Sequence, residues 1–442
     1  MDSQHSEIEP ERLSLMTYSH DGYGLGHLRR TSNIAARFVR EMPGSTVLML
    51  TGCPSGAPFL LPKGVDFIKV PSVIKVDTGA YIPSGLRIGR QKAKAIRSST
   101  VKSAVSQFKP QLFLVDHVPA GIYGELLPTL QVLRGLDDPP AIVLGLRDII
   151  DDPSVVIDLW RKEETYQTIR EYYDEVFIYG CREIFDSALY YGINTEFPGT
   201  VTYCGYVRSE ESLKSRDQVR GDLRISKEKL VGVIAGGGHD AYPLMQSCLD
   251  ALQFFGGNIP FEVVFITGPL MEPEQREHLR SQARSLGARV FACVEDTPSF
   301  INATDLVITM AGYNSLCEIV GLKRKALVVP RHGPRAEQRM RARLFQDKGL
   351  IDVLDPRVVT PRSLAQRIIE DLERTDFPLA NTALSMSGAR RAAERLSALA
   401  LARGAGLQPI AVAASQTAVA PDTHRKSLRG SALKANRTLP GK

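Results

Sequence analysis

Residues 305–338 read DLVITMAGYNSLCEIVGLKRKALVVPRHGPRAEQ and contain two apolar runs separated by a glycine turn and a helical stretch. The first run, residues 306–309, is typical of a short buried strand, and the turn after it has the composition of a helix start. The second run, residues 326–330, predicts another strand. A strand, a turn, a helix and a strand in this order are the repeating unit of a parallel α/β sheet.

The turn in this stretch carries groups that suit a phosphate and a sugar. A glycine turn at a helix start leaves backbone N–H groups free to bind a phosphate. Glu318 lies one turn further on and could accept two hydrogen bonds from a ribose diol, while Glu337 and Gln338 could bind sugar hydroxyls. An ordinary β-α-β unit with a solvated basic helix has the same spacing, so spacing alone leaves both interpretations open. The turn residues predicted to contact a nucleotide sugar are Ala311, Gly312, Tyr313, Asn314 and Ser315.

The same stretch resembles, without a gap, the C-terminal domain of the family 28-type glycosyltransferases. That family includes the N-acetylglucosaminyltransferase of peptidoglycan lipid-intermediate synthesis. The resemblance implies a two-domain GT-B fold in which Glu318 binds the donor ribose and the pair Glu337 and Gln338 faces the donor sugar. Glu337 stands where the family has a glutamine, so the identity of the sugar stays open.

Length and charge set limits on the function. The chain has 442 residues with 43% hydrophobic content, enough for two domains with their own cores. Its formal net charge is +6, but the segment from Gly404 onward holds six basic residues and one acid, so most of the excess charge lies there. The rest of the chain is close to neutral. Nucleic-acid binding by the folded part therefore has little support.

Cysteine spacing and the N-terminus bear on localisation. The six cysteines are all more than 20 residues apart, which predicts neither a zinc site nor a disulfide framework. The first 16 residues have no basic flank followed by an apolar core, and no run of 18 apolar residues occurs. We expect a cytoplasmic protein, with a peripheral contact to the inner membrane surface left open.

Both halves of the chain alternate strand-like runs with helical stretches. Each half opens with a strand and a glycine turn, followed by a helix at residues 28–41 in the first half and 242–255 in the second. This alternation predicts two doubly wound parallel-sheet, Rossmann-like domains that face each other across a cleft. Strands are predicted at residues 13–18, 47–51, 65–70, 112–116, 141–146 and 175–179, and at 230–235, 261–267, 289–294, 306–309 and 326–330.

The domain boundary is predicted near residues 201–208. Residues 1–205 would form the acceptor-side domain and residues 206–403 the donor-binding domain. A last helix near residues 387–402 would cross back to the first domain, as in related two-domain glycosyltransferases. Residues 404–442 lack periodicity, and we expect them to be a disordered basic tail.

The N-terminal glycine turn, HDGYGLGHLRR, places His27 at a helix start after Gly24 and Gly26. A neutral imidazole there could take a proton from an acceptor hydroxyl. A histidine that caps its own helix would have the same position. The turn resembles the glycine-rich loop of the same glycosyltransferases and the GHxxR start of nucleotide-sugar hydrolases, which implies a catalytic or phosphate-facing role for His27.

Two acidic motifs follow strands in the first half. Asp116 and His117 end a strand, where either side chain could orient His27 or touch the acceptor, although Asp116 could equally cap the next helix. In RDIIDDP, Asp148, Asp151 and Asp152 are predicted to end a strand and open the helix after a proline, not to hold a metal. The resemblance likewise implies a metal-independent site.

The donor half opens with the turn GGGHD. Gly236, Gly237 and Gly238 allow the backbone to approach a diphosphate closely. Asp240 is predicted to point away from the phosphates or to contact a sugar hydroxyl. Arg208 matches an arginine that follows the linker in the relatives, and its charge would offset the phosphates.

Three other functions compete with glycosyl transfer. A nicotinamide dehydrogenase needs an acidic residue at the end of the second strand, and this chain has Leu50-Thr51-Gly52-Cys53 there. A nucleotide-sugar hydrolase or 2-epimerase would share the architecture. A non-catalytic sugar-nucleotide binding subunit would keep the donor site without using the base.

The sequence and the resemblance together predict an inverting, metal-independent glycosyltransferase that needs no cofactor. It would move a sugar from a nucleoside-diphosphate sugar, UDP-linked by resemblance, to an acceptor hydroxyl that the sequence does not identify. His27 would be the base and Asp116 its partner, while the glycine turns and Arg208 would stabilise the leaving diphosphate.

Overall fold

The computed structural model describes residues 13–20, 25–54, 61–77, 80–333, 335–376 and 384–404. The predicted tail lies almost entirely outside these ranges. The domain limits at 205/206 and 403/404 remain a prediction.

The first half of the described chain forms a seven-stranded parallel sheet. A separate antiparallel hairpin, which the sequence analysis did not predict, lies between its third and fourth strands. The strands in chain order, including the hairpin strands β4 and β5, are β1 Ser14–Ser19, β2 Thr46–Thr51, β3 Val65–Lys69, β4 Val73–Asp77, β5 Ala80–Pro83, β6 Leu112–Asp116, β7 Ala141–Arg147, β8 Glu175–Tyr179 and β9 Thr200–Tyr203.

The strand order of this first sheet is β3-β2-β1-β6-β7-β8-β9. The order reverses between β1 and β6, which is the switch point where ligands bind in doubly wound sheets. The helices that connect these strands are α1 Gly26–Glu41, α2 Arg90–Phe108, α3 Leu127–Arg134, α4 Pro153–Lys162, α5 Thr165–Tyr172, α6 Ser187–Tyr190 and α7 Ile193–Glu196, with a 3-10 turn at Ile122–Gly124.

The second half forms a six-stranded parallel sheet. Its strands are β10 Leu230–Ile234, β11 Glu262–Ile266, β12 Arg289–Phe291, β13 Leu306–Thr309, β14 Ala326–Val328 and β15 Asp352–Val353, in the order β12-β11-β10-β13-β14-β15. The switch point lies between β10 and β13. The helices are α8 Arg216–Asp222, α9 Tyr242–Leu252, α10 Pro273–Ser285, α11 Thr297–Ala303, α12 Tyr313–Gly321, α13 Glu337–Asp347, α14 Pro361–Glu373 and α15 Gly388–Ala402, with a 3-10 turn at Gln253–Phe255.

The central strand β10 shows why both faces of the second sheet are covered. All five of its residues are buried. Leu230 and Ile234 pack into one apolar cluster, and Val231 and Val233 pack into another on the opposite face. Successive side chains of a strand point to opposite faces, so a continuous apolar run requires helices on both sides. This confirms the predicted doubly wound α/β class.

The two sheets are joined by buried contacts and by the last helix. Helix α15 packs along α1 of the first half, as the sequence analysis expected of a helix at 387–402. Arg341 on α13 donates to both carboxylate oxygens of Asp148 at 2.9 and 2.7 Å, and both side chains are buried. The Tyr313 hydroxyl donates to the carbonyl of Tyr179 at 2.9 Å. These contacts fix the donor-side helices against the first sheet.

Most predicted strands lie where they were expected, and the differences are local. Strands 112–116, 175–179 and 306–309 have the predicted limits. The polar stretch 209–224, whose composition also predicts a helix, forms one only at Arg216–Asp222, where Ser215 and Gln218 make a capping box. Strand β12 ends at Phe291, three residues before its predicted end, because the following residues turn into the cleft.

Candidate active site

A cleft of about 2100 Å³ opens at the carboxyl ends of the two parallel sheets. Its first wall carries His27 and His117, which follow β1 and β6. Its second wall carries the turn after β10 and the start of α12. Both strand-order reversals therefore face the same space. Carboxyl ends at switch points are where such sheets bind ligands, so this cleft is the candidate site.

His27 and Asp116 form a hydrogen-bonded pair in the first wall. His27 Nδ1 lies 2.5 Å from Asp116 Oδ2. Arg30 Nη2 also lies 2.9 Å from His27 Nδ1. The Asp116 oxygen is the closer of the two, and a carboxylate can only accept a hydrogen bond, so we assign the proton to Nδ1 and the lone pair to Nε2. The pairing supports the interpretation in which Asp116 orients His27. A histidine held in this way can act as a general base toward a group in the cleft.

Arg30 keeps Asp116 ionised. Its Nε and Nη2 atoms donate to the two Asp116 oxygens at 2.9 and 2.6 Å, and both side chains are buried. Burial alone would raise the pKa of Asp116, but the Arg30 charge and the His27 hydrogen bond hold this pKa well below its usual range. The Arg30 guanidinium also lies over the rings of Tyr179 and Tyr313, at 5.5 and 5.3 Å from their centroids.

Two further histidines surround His27. The His20 and His117 rings lie 4.4 and 5.2 Å from the His27 ring, measured between centroids. Burial lowers the pKa of both His20 and His117 well below the usual histidine value, so both are neutral at pH 7. His117 has φ +76°, a left-handed conformation that is rare outside glycine.

The glycine turn in the second wall is packed too closely at Gly238 to hold a side chain. Gly238 has φ +96°, and a Cβ atom there would lie 2.2 Å from the carbonyl oxygen of Thr267. Gly236 has φ +59°, and a Cβ atom on it would lie 3.8 Å from Ser315 Oγ at the start of α12. Gly237 lines the cleft between them. The predicted phosphate-binding turn and helix start are therefore adjacent.

Some residues at the start of α12 form hydrogen bonds that join the two walls, and others line the cleft. Asn314 Nδ2 donates to the carbonyl of Gly26 at 3.1 Å. Tyr313 is buried, and its hydroxyl accepts a hydrogen bond from the backbone N–H of Val207 at 3.0 Å. The Ala311 carbonyl accepts from Arg341 at 2.9 Å. Gly312 and Ser315 line the cleft and leave this helix start open to a ligand.

Glu318 is buried with one oxygen uncommitted. Oε1 accepts the backbone N–H of Ser209 at 2.7 Å. Oε2 is buried and has no hydrogen-bond partner among the described residues. Burial raises the pKa of Glu318 above the ordinary glutamate value. A buried acceptor without a partner is costly, and a ligand hydroxyl in the cleft would satisfy it.

Glu337 and Gln338 lie at the start of α13 and line the cleft. Glu337 makes an ion pair with Arg147 at the end of β7, and its other oxygen lies 3.5 Å from Arg331 Nη2. Burial would raise the pKa of Glu337, but Arg147 and neighbouring arginines lower it below its usual value. Gln338 Oε1 accepts the backbone N–H of Arg331 at 3.0 Å. Both side chains are thus oriented before any sugar binds.

Arg208 was predicted to offset the charge of the phosphates, but its contacts lie away from the cleft. Its Nη1 donates to the carbonyl of Ser209 at 2.8 Å. Its side-chain stem lies against Gly321, where a Cβ atom would be 2.5 Å from Arg208 Cδ. Arg208 does not line the cleft, although the next residue, Ser209, does. Gly24 lies outside the described residues, so its position cannot be compared with the prediction.

The remaining acidic residues have structural partners. Asp240 binds Arg331 Nη1 at 2.7 Å, in keeping with a carboxylate turned from the phosphates. Asp151 accepts the backbone N–H of Ala336 at 2.7 Å. Asp152 caps α4 by accepting from the N–H of Ser154, as the sequence predicted. In the part of the chain that the structure describes, no group of histidine, cysteine and acidic side chains has metal-binding geometry.

Sequence reasoning missed several arginines of the site. Arg30 belongs to the GHxxR motif, so that motif could have identified it. The pairing of Arg147 with Glu337 and that of Arg331 with Asp240 carry no local signal, because the partners lie far apart along the chain.

Comparison with known proteins finds a family likeness for the second wall. Residues 231–396 match the glycosyltransferase family 28 C-terminal domain. This region of the chain is therefore similar to that domain. The match begins at β10 and includes the glycine turn, Glu318, Glu337 and Gln338. The first half of the chain lies outside it.

A curated relative from Bacillus cytotoxicus matches a stretch of similar length. It is UDP-N-acetylglucosamine--N-acetylmuramyl-(pentapeptide) pyrophosphoryl-undecaprenol N-acetylglucosamine transferase, 26% identical over 170 residues. The matched region is 38% of this chain and 45% of that relative, so the chain spans less than half of its length.

Two solved structures share the overall fold. The kitacinnamycin glycotransferase has a TM-score of 0.57 with 15% identity, over 89% of this chain and 98% of its own. A Listeria monocytogenes protein assigned as a UDP-N-acetylglucosamine 2-epimerase has a TM-score of 0.56 with 13% identity, over 88% and 96%. With the two sheets and the family 28 domain, these likenesses confirm the predicted GT-B fold.

Among the helices of the described residues, none combines the length and apolar character that a membrane-spanning segment requires.

Proposed function

We propose that this protein is an inverting glycosyltransferase that transfers a sugar from a UDP-sugar to an acceptor hydroxyl. The observation that carries the proposal is the His27–Asp116 pair, with its 2.5 Å contact, across the cleft from the start of a family 28 donor helix. A base in one wall and a phosphate-binding helix start in the other are what displacement at an anomeric carbon requires.

His27 accepts the acceptor's proton on Nε2 as the acceptor oxygen bonds to the anomeric carbon. Asp116 holds the Nδ1 proton and stabilises the imidazolium that forms. The ionised state of Asp116, kept by Arg30, is essential because a protonated carboxyl would lose this stabilising charge. The bond from the anomeric carbon to the diphosphate oxygen breaks at the same time, on the opposite face of the sugar.

The second wall binds the donor in this proposal. The uncommitted Oε2 of Glu318 accepts hydrogen bonds from the ribose diol. The diphosphate lies against the Gly236–Gly238 turn and the start of α12, where backbone N–H groups stabilise its negative charge. Glu337 and Gln338 face the sugar. The chain's own residues supply all of these roles, so the proposal needs neither a metal nor a cofactor.

The proposal names the acceptor only by its chemical class. It is a hydroxyl group on a lipid, a protein or a small molecule. A lipid acceptor would bring the enzyme to the inner membrane surface from the cytoplasm. The relative from Bacillus cytotoxicus is named for a lipid-linked acceptor, but the match to it covers only 38% of this chain.

The deciding experiment is turnover with a panel of UDP-sugars, with and without acceptor fractions, followed by UDP release. Acceptor-dependent UDP release supports transfer. Equal UDP release without any acceptor would replace the proposal by nucleotide-sugar hydrolysis, and UDP formation accompanied by a 2-epimerised sugar would indicate a 2-epimerase. UDP binding by calorimetry without any turnover would indicate a binding subunit.

A further inference from the structure

Helices α1 and α12 begin side by side at the cleft. The Asn314 side chain binds the Gly26 carbonyl at 3.1 Å, so the first turns of the two helices are in register. One turn along α12 lies Glu318, and one turn along α1 lies Arg29. Two helix starts, each with free N–H groups and a positive dipole end, thus face the same region.

Arg29 is a cation of the cleft wall without a fixed partner. It is half-buried and lines the cleft, and no hydrogen bond or ion pair engages its guanidinium within the described ranges. The next arginine, Arg30, has the opposite character, since it is buried and bound to Asp116. Arg29 is therefore available to a ligand, and Arg30 is not.

Arg29 also acts on the carboxylate that the proposed function assigns to the ribose. Burial raises the pKa of Glu318, and the Ser209 N–H and the Arg29 charge oppose that rise. Helix α1, which carries Arg29, contacts helix α12, which carries Glu318, and both side chains line the cleft. The diphosphate adjoins the ribose in any nucleotide sugar, so a donor whose ribose binds Glu318 brings its diphosphate into the region that Arg29 lines.

We propose that Arg29 binds the diphosphate of the donor and neutralises it as it leaves, the role that the sequence had assigned to Arg208. This inference rests on the proposed function and extends it, because it makes the first wall contribute to the donor site. When the sugar–oxygen bond breaks, its electron pair stays on the diphosphate, which gains one negative charge. A guanidinium within reach offsets that charge and forms charge-assisted hydrogen bonds to phosphate oxygens.

The test compares UDP, UMP and uridine binding to wild type and Arg29→Gln by calorimetry. Losing a charge-assisted contact should weaken UDP binding about 10- to 100-fold, with a smaller loss for UMP and unchanged uridine binding. Arg29→Lys should retain part of the UDP affinity. Arg40→Gln is the matched control, because Arg40 lies on the same helix, is exposed and does not line the cleft.

Arg208→Gln measures the competing assignment. A larger loss of UDP affinity in Arg208→Gln than in Arg29→Gln would overturn the inference. Equal UDP binding by Arg29→Gln and wild type would overturn it as well, as would an equal loss for uridine. If wild type binds neither UDP nor uridine, the proposed function itself fails, and the two failures are thereby distinguished. Thermal melting of each variant checks that it is folded.

Discussion

Asn314 Nδ2 donates a hydrogen bond to the carbonyl oxygen of Gly26 at 3.1 Å, across the cleft between the two sheets. Gly26 precedes His27, and Asn314 lies in the first turn of the helix that would receive the diphosphate. The side chain predicted to bind the donor is therefore engaged in placing the proposed base. This contact couples the donor helix to the histidine turn.

Replacing Asn314 by alanine should reduce turnover more than donor affinity. The variant loses one neutral hydrogen bond, worth about 0.5 to 1.5 kcal/mol, and with it the fixed position of the histidine turn. We expect turnover to fall while the UDP dissociation constant changes by less than about threefold. Parallel calorimetry and UDP-release assays check this. A large loss of UDP affinity with unchanged turnover would return Asn314 to a donor-binding role.

Replacing Glu318 by glutamine should separate donor affinity from stability. Burial raises the pKa of Glu318, so the folded protein binds this proton more tightly than the unfolded chain, and the ionised group costs stability at pH values above its folded pKa. Glu318→Gln keeps an acceptor for the Ser209 N–H. We expect it to melt no lower than wild type at pH 8.

The same variant should bind UDP about 10- to 150-fold more weakly, because charge-assisted hydrogen bonds of about 1.5 to 3 kcal/mol to the ribose are lost. The UDP affinity of wild type should fall as the pH is lowered and Glu318 becomes protonated. Because the pKa of Glu318 is raised, this fall should begin at a higher pH than it would with an ordinary carboxylate. A Glu318→Gln protein with normal UDP affinity would contradict the ribose assignment.

The buried ion pair between Arg341 and Asp148 should matter for stability. Arg341→Ala leaves the Asp148 carboxylate buried without its partner, at a cost of about 3 to 5 kcal/mol in the free energy of unfolding. Arg343→Ala, an exposed position on the same helix, is the control and should change it by less than about 0.5 kcal/mol. Chemical denaturation gives both values. Similar values for the two variants would show that this pair does not hold the sheets together.

Much of the fold could be predicted from local sequence. Strand β6 consists of four apolar residues followed by Asp116, and all five are buried. Its apolar run therefore predicted both ends of the strand correctly. The two-residue strand β15 carries too few residues for a periodic signal, and the apolar run of β4 is interrupted by Lys75, so the sequence analysis missed both β15 and the β4–β5 hairpin. Helix α8 begins at a capping box formed by Ser215 and Gln218. The sequence analysis did not recognise this box, because the residues before it are also polar.

In the candidate site, too, sequence motifs identified some of the residues and gave no indication of others. Glu318 and the turn 236–238 lie in contiguous motifs, and the structure brings them to one cleft with His27, behind which Asp116 is buried. The pairing of Arg147 with Glu337 joins residues from different sheets and has no local spacing to reveal it. The contacts of Arg208 could not be inferred either, because they depend on how the linker packs against Gly321.

The central claim, that His27 is the general base, is tested most directly by the turnover and UDP affinity of His27→Ala measured on the same preparation. We expect turnover to fall about 10²- to 10⁴-fold with nearly unchanged UDP affinity, because the proton is removed only as the acceptor attacks. A folded His27→Ala enzyme with near-normal turnover would contradict the account and would direct attention to His117 in the same wall.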